Sequence, residues 1–247
     1  MALGFLITAF LYATVGFGGG STYNALLLLN DVDYNLIPKI ALTCNIIVVT
    51  GSAIRYYKNN LIPWKIVIPL ILVSIPFALL GGLINIDKET FLLILSISLI
   101  LSGIFLFIRQ EEILEISQNT KEKKGLILYT IISSILGFLA GIVGIGGGIF
   151  FSPILHITKA MPSKNIAAFS SIYILVNSIF GLLGQFIKDQ NEQTLINYFN
   201  YSLLFFAVLF GGLIGSHLGI KTLKPIIVRR LTAILIIFVG LRLIIGI

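Results

Sequence analysis

Apolar residues in this chain run in long stretches instead of alternating or marking one face of a helix. Six such stretches occupy about 37–57, 63–84, 90–108, 165–187, 198–219 and 225–246. A helix rises 1.5 Å per residue and the hydrocarbon core of a bilayer is ~30 Å thick, so each stretch predicts one crossing. Two further segments, 2–15 with 21–30 and 126–143 with 149–158, are interrupted by glycine runs. Their second pieces would reach roughly 15 Å as helix, too short to cross.

The two interrupted segments match each other. Val15-Gly16-Phe17-Gly18-Gly19-Gly20 aligns with Val143-Gly144-Ile145-Gly146-Gly147-Gly148, and Gly81-Gly82-Leu83-Ile84 returns as Gly211-Gly212-Leu213-Ile214. A polar, charged stretch lies between the copies, where a repeat boundary belongs. The expected organisation is a first membrane repeat over 1–109, a charged linker over 110–124 and a second membrane repeat over 125–247. Each repeat is one broken segment followed by three full helices.

Whether a broken segment crosses or turns back changes the distribution of positive charge. If both turn back, Arg55, Lys58, Lys65, Arg109, Lys121, Lys123, Lys124, Lys159, Lys164, Lys221, Lys224, Arg229 and Arg230 fall on one side, leaving only Lys39, Lys88, Lys188 and Arg242 opposite. If both cross, the 17 basic residues divide almost evenly. Cytoplasmic loops carry an excess of Lys and Arg, so the turned-back arrangement is the expectation. It places the linker in the cytoplasm and both termini outside. Three crossings per repeat then invert the second repeat relative to the first. The expected fold is an all-α polytopic membrane protein with two inverted repeats, each a glycine-broken re-entrant hairpin plus three transmembrane helices, a plan shared by many secondary transporters.

Composition agrees with the pattern. Of 247 residues 57% are hydrophobic and 11% charged, against roughly 25% charged in soluble domains, and the mean hydropathy is +1.04. The net charge of +7 is what cytoplasmic loops supply, so nucleic acid is not an expected partner. A single cysteine, Cys44, excludes an internal disulfide. Met1 to Phe17 lacks the basic start of a signal peptide and is read as mature sequence.

Non-helical backbone at membrane depth must be buried in protein or line a cavity. After each glycine run a helix starts, and helix starts with free N–H groups attract anions, while glycine admits a ligand close to the backbone. The candidate binding residues are therefore Gly18, Gly19, Gly20, Ser21, Thr22 and Asn24 in the first copy, with Gly146, Gly147, Gly148 and Ser152 in the second. The next helix in each copy adds Thr43 and Asn45, or Ser170, Ser171, Tyr173 and Asn177. Aligning Ile40-Ala41 with Ile166-Ala167 sets Asn45 opposite Ser171.

Glycines four apart also let helices pack closely without any ligand. That reading suits Gly137/Gly141 and Gly211/Gly215/Gly219, but it does not explain a duplicated break in mid-segment. Intramembrane Ser and Thr often bond their own helix, and Trp64 and Tyr198 read as interface aromatics. His156 and His217 have no paired carboxylates or cysteines, so no metal site is expected. All ten Asp and Glu fall in predicted loops or at helix ends, leaving no acidic proton relay at the membrane centre. Neither a dinucleotide-binding fingerprint nor an HExxH zinc signature is present. No catalytic residue and no cofactor is expected; the rivals to a carrier are a channel, a membrane scaffold and, more remotely, an intramembrane enzyme.

The stretches Val15 to Thr22 and Val143 to Pro153, the duplicated Gly-Gly-Leu-Ile motif and the two-half layout resemble the TauE/SafE membrane permeases, also called the four-toluene-sulfonate uptake permease family. The resemblance covers essentially the whole chain. It implies a carrier of sulfite, thiosulfate or organosulfonates in the inner membrane. The expected partners are a small anionic substrate and the lipid bilayer; a coupling ion, proton or sodium, and uncoupled passage both stay open, with a homodimer as the assembly considered.

Overall fold

The structure, a computed structural model, describes residues 1–108, 122–158, 160–190, 192–218 and 225–246. The expected linker at 110–124 lies outside the described residues, apart from 122–124 at the start of a helix. The elements are α1 (Ala2–Val15), α2 (Gly20–Leu28), α3 (Ile37–Lys58), α4 (Trp64–Leu83), α5 (Lys88–Ile108), α6 (Glu122–Val143), α7 (Gly148–Ile157), α8 (Ser163–Lys188), α9 (Glu192–Phe199), α10 (Ser202–Leu218) and α11 (Pro225–Gly246). No strand occurs among the described residues.

Within the described residues four stretches are long and apolar enough to cross a bilayer: Ile37–Lys58, Trp64–Leu83, Lys88–Phe105 and Lys164–Lys188. A fifth crossing arises if α9 and α10, bent by 45°, form one span. The stretch expected as a single helix over 198–219 is thus divided at Asn200–Tyr201. Just before the break Tyr198, expected at the interface, is buried between Phe186 and Phe205, and its hydroxyl meets that of Thr43 at 2.7 Å. Large apolar side chains such as Leu3, Leu72 and Phe206 stay more than half exposed, a surface that lipid solvates and water does not. On the α4–α5 turn, Asp87 accepts bonds from the Thr90 N–H (2.9 Å) and the Thr90 hydroxyl (2.8 Å), which hold its carboxyl below the ordinary carboxylate range.

Packing is made mostly between helices of the first and second halves of the chain. The carbonyls of Leu6 and Phe10 on α1 lie against Gly211 and Gly215 of α10, so contacts advance together and these helices run parallel. The Ser133 hydroxyl donates to Leu70 O (2.7 Å), Gly137 meets Ser74 and Gly141 meets Ala78 O, so α6 runs parallel to α4. Val48 against Gly212 and Gly51 against Ser216 make α3 parallel to α10. The opposite sense holds for α3 with α8, where Lys39 meets Asp189, Leu42 meets Gly181 and Leu61 meets Asn165. It holds also for α5 with α11, where Gly103 meets Ala233 and Gly240 meets Ser96. Backbone-to-backbone approach at these glycines explains their four-residue spacing.

After each glycine run the chain doubles back. A β-carbon on Gly19 would touch Thr8, Tyr23 stacks on Phe5 with ring centroids 4.8 Å apart, and Leu26 lies against Gly4. In the second copy Gly147 meets Leu136 O, Phe151 meets Tyr129, and the Tyr129 hydroxyl donates to Thr158 (2.8 Å).

Candidate functional site

Helix α1 ends with Gly16 in the left-handed region, its N–H and that of Phe17 returning to Ala13 O and Tyr12 O. The new helix α2 then starts at an N-cap glycine, Gly19, with φ of 87°, and α7 starts at Gly147 with φ of 75°. An L side chain at either position is strained by roughly 1–2 kcal/mol, so glycine is what lets the chain reverse there. No side chain caps either helix start, which leaves backbone donors and the positive end of each dipole directed at the apex.

The two apices lie against each other with Asn45 between them. A β-carbon on Gly20 would sit 2.9 Å from Gly144 O, 3.0 Å from Ile145 Cα and 2.6 Å from Asn45 Nδ2, and one on Gly18 would strike Asn45 Oδ1. The Asn45 amide donates to Gly144 O (3.3 Å), Asn24 donates to Val143 O (2.6 Å) and Gln185 to Gly141 O (2.8 Å). These three side chains satisfy carbonyls at the end of α6 that no further helical turn can reach.

Around this junction lie buried polar atoms without a hydrogen-bond partner. They include the hydroxyls of Ser21, Ser152, Ser170 and Ser178, Oδ1 of Asn24 and of Asn45, and both amide atoms of Asn177. Buried polar groups in native proteins are normally satisfied, so such a concentration calls for a reason. Gly18, Gly19, Gly20 and Ser21 also line a cavity with Tyr12, Phe17, Ile145, Ile149 and Ile174. Its volume of about 10 Å³ is at the lower limit of what one water needs, ~10–15 Å³.

The other expected residues are placed unequally. Thr22 is held by the Tyr12 hydroxyl (3.0 Å), and Gly146 and Gly148 pack on Ile174. Tyr173 lies against Gly147, stacks on Phe169, meets Phe151 edge-on and donates to Ser133 O (2.9 Å). Ser171 bonds Ala168 O in its own helix. Thr43 points to Lys39 O and Tyr198 and is not at the apex. Three polar residues escaped the sequence reading: Tyr12, Ser178 and Gln185. Gln185 carried a signal, being an amide within an apolar stretch, whereas Ile145, Ile149 and Ile174 look like any lipid-facing residue until folded.

The chemistry available is that of hydroxyl, amide and backbone donors beside two helix starts. Among the described residues the carboxylates, Asp31, Asp33, Asp87, Glu89, Glu122, Asp189 and Glu192, belong to residues at helix ends or in turns, and no cluster of three or more His, Cys, Asp or Glu could hold a metal. An acceptor-rich anion suits these donors.

Comparison with known proteins bears on the same region. A probable membrane transporter protein of Sinorhizobium fredii is 26% identical, over 98% of this chain and 96% of its own. One from Methanocaldococcus jannaschii is 30% identical, over 96% and 90%, and one from Bacillus subtilis 24%, over 97% and 94%. No solved structure matches. The profile of the family described as Sulfite exporter TauE/SafE matches residues 1–243, which takes in both glycine apices and every helix packed on them. The chain is a multi-pass membrane protein and belongs to the TauE/SafE family of membrane transporters.

Proposed function

We propose that this protein carries a small sulfur-containing anion, such as sulfite, thiosulfate or an organosulfonate, across the inner membrane by alternating access around the two glycine apices. The observation that carries the reading is the group of unpartnered buried hydroxyls and amides beside two uncapped helix starts. An oxyanion entering there gains charge-assisted hydrogen bonds from groups that otherwise bear a desolvation cost. The family's description as a sulfite exporter supports the choice of anion. A carrier returns its substrate unchanged, so no catalytic residue enters the reading.

The topology in this proposal is two inverted repeats, 1–109 and 125–247, each opening with a re-entrant hairpin, with a cytoplasmic linker at 110–124 and both termini outside. Helix directions support it. Helix α3 runs in the same sense as α1, the Ala13 carbonyl receiving the Ser52 hydroxyl and Gly16 meeting Tyr56, so the chain has to return between them. Exchanging the halves turns the parallel pair α1 and α10 into α6 and α4, also parallel, while equivalent helices oppose each other in α3 with α8 and α5 with α11. The near-closed apex cavity supports the alternating-access element, since an oxyanion needs more room than about 10 Å³.

Flux into proteoliposomes of the purified protein tests the proposal, offering sulfite, thiosulfate, a small sulfonate, phosphate and acetate under imposed proton or sodium gradients. Saturable movement of a sulfur oxyanion, lost when Ser170→Ala and Asn177→Leu are combined, is the expected result. Unsaturable flux would make it a channel, and indifference to every anion would reject the carrier. Topology is tested separately in a Cys44→Ala background, where cysteines at Lys123 and Lys188 should label from opposite sides.

A further inference from the structure

The charges that the apex chemistry leaves unused gather at a second place. On the face where α3 begins and α4 and α8 end, a cavity of about 260 Å³ opens between the two halves, lined by Tyr34, Pro38, Asn85, Ile142, Gln185 and Lys188 among others. It has room for an ion with its water, a single water needing only ~10–15 Å³. Lys39, next to Pro38, is 1% exposed and pairs with Asp189 at 2.6 Å, the carboxylate being 22% exposed. Lys188 is the chain neighbour of Asp189, the carboxylate that Lys39 holds. Two cations therefore flank the Asp189 carboxylate at this rim, and the Lys188 ammonium donates to Ile84 O at 3.5 Å. On the cavity floor the buried Gln185 amide bonds the end of α6 through Nε2 and leaves Oε1 without a partner. Pro38, a wall of the cavity, is also what a β-carbon on Gly144 would touch at 2.8 Å, so only a thin layer separates this mouth from the apices.

A cation as buried as Lys39 costs several kcal/mol unless paired, so any motion that parts α3 from the end of α8 must give it a new partner. An oxyanion is such a partner, and Asp189 is not. The same position in the other half is differently built. With Ile40-Ala41 set on Ile166-Ala167, Lys39 corresponds to Asn165, whose amide donates to Leu61 O (3.0 Å), and Lys188 and Asp189 correspond to Ile62 and Pro63. The charged latch is thus on one face only.

We propose that this mouth is an anion-capture site in which Asp189 is the resident counter-ion of Lys39, displaced by an arriving oxyanion that Lys188 helps to hold. Displacing Asp189 unlocks α3 from α8, so capture and opening of the halves are one event. The step exchanges one ion pair for another and makes no covalent change. It rests on the carrier reading only for what becomes of the anion afterwards, and the capture itself is tested without transport.

The purified Cys44→Ala protein carrying Asn85→Cys is labelled with neutral N-ethylmaleimide in sulfate, with gluconate at equal ionic strength as reference. Sulfate should slow labelling saturably, and Asp189→Asn should lower the half-protecting sulfate concentration roughly two- to fivefold, the scale of one ion-pair competitor removed. Lys39→Gln and Lys188→Gln should each weaken protection, and Ser170→Ala with Asn177→Leu should leave it intact. If Lys39→Gln does not fold, Lys188→Gln and Asp189→Asn decide. Equal labelling in sulfate and gluconate in both the parent and Asp189→Asn overturns the proposal, as does protection that survives Lys188→Gln unchanged or disappears in the apex variant. Protection without flux of any anion would leave the mouth standing and reject the carrier.

Discussion

At the first apex the residues after the glycines are Ser21, Thr22, Tyr23 and Asn24, and at the second they are Ile149, Phe150, Phe151 and Ser152. The geometry is shared, a left-handed glycine starting an uncapped helix, but the use is not. Asn24 and Asn45 of the first half reach across to Val143 O and Gly144 O in the second. Their aligned counterparts do not reciprocate: the Ser152 hydroxyl has no partner, and Ser171 bonds its own helix. The space beside them is taken by Phe151, Phe169 and Tyr173, whose rings pack mutually at 5.1–5.4 Å. The first apex and α3 supply bonds to the junction, and the second apex and α8 supply bulk. Two apices of like backbone geometry can therefore differ in which one carries the polar contacts.

The strongest way to break that comparison is to exchange the aligned pair in α3 and α8. Asn45→Leu leaves Gly144 O buried and unpaired, and we expect a loss of about 1–3 kcal/mol in unfolding free energy together with most of the transport. Ser171→Ala removes only a bond within one helix and should leave transport within about twofold, a change below ~0.5 kcal/mol. Equal losses in flux and melting temperature from both would erase the asymmetry.

A second pair sharpens it. Asn24→Ala should destabilise by roughly 1–2 kcal/mol through Val143 O, whereas Ser152→Ala removes an unpartnered hydroxyl and should be neutral or slightly stabilising. If Ser152→Ala also lowers anion flux, the hydroxyl meets substrate and not protein, and thermal melting beside flux separates these outcomes. Weaker than either asparagine loss is the effect expected of Tyr12→Phe, which breaks the bond to Thr22 at about 0.5–1.5 kcal/mol. Position 12 aligns with Ala140, so the second half has no equivalent bond to lose. A melting temperature unchanged by Tyr12→Phe would show that the first apex does not depend on it.

Much of this architecture could be read from the chain because glycine runs and apolar stretches act locally. The breaks at Gly16–Gly19 and Gly144–Gly147 fall where expected, and α3, α4 and α8 end within a few residues of their apolar stretches. What could not be read depends on rotation and on distant partners. Thr43 and Asn45 are two residues apart, about 200° around a helix, so only one of them can face the apices. Ser170, Tyr173 and Asn177 share one face and do lie together, while Ser171 is turned about 100° away. The bend at Asn200 is not legible in the apolar stretch, and beside it Tyr198 packs on Phe186 and bonds Thr43, partners far away in the chain. Lys39 read as a charge at a helix end, and only the approach of Asp189, 150 positions later, makes it a buried ion pair.

The interleaving of the halves has a consequence for how the chain is made. Helix α1 leaves the ribosome first, yet its glycine-faced partner α10 is synthesised some 200 residues later, which at roughly 5–20 residues per second is a wait of tens of seconds at the slower rates. Helices α3, α4 and α5 wait likewise for α8, α6 and α11. During that interval the first half holds Asn24, Asn45 and Lys39 in the bilayer without the carbonyls and carboxylate that later satisfy them. Asn24 and Asn45 gain their carbonyls once α6 is made, whereas Lys39 waits for Asp189 at the end of α8, so its charge is the last of the three to be paired.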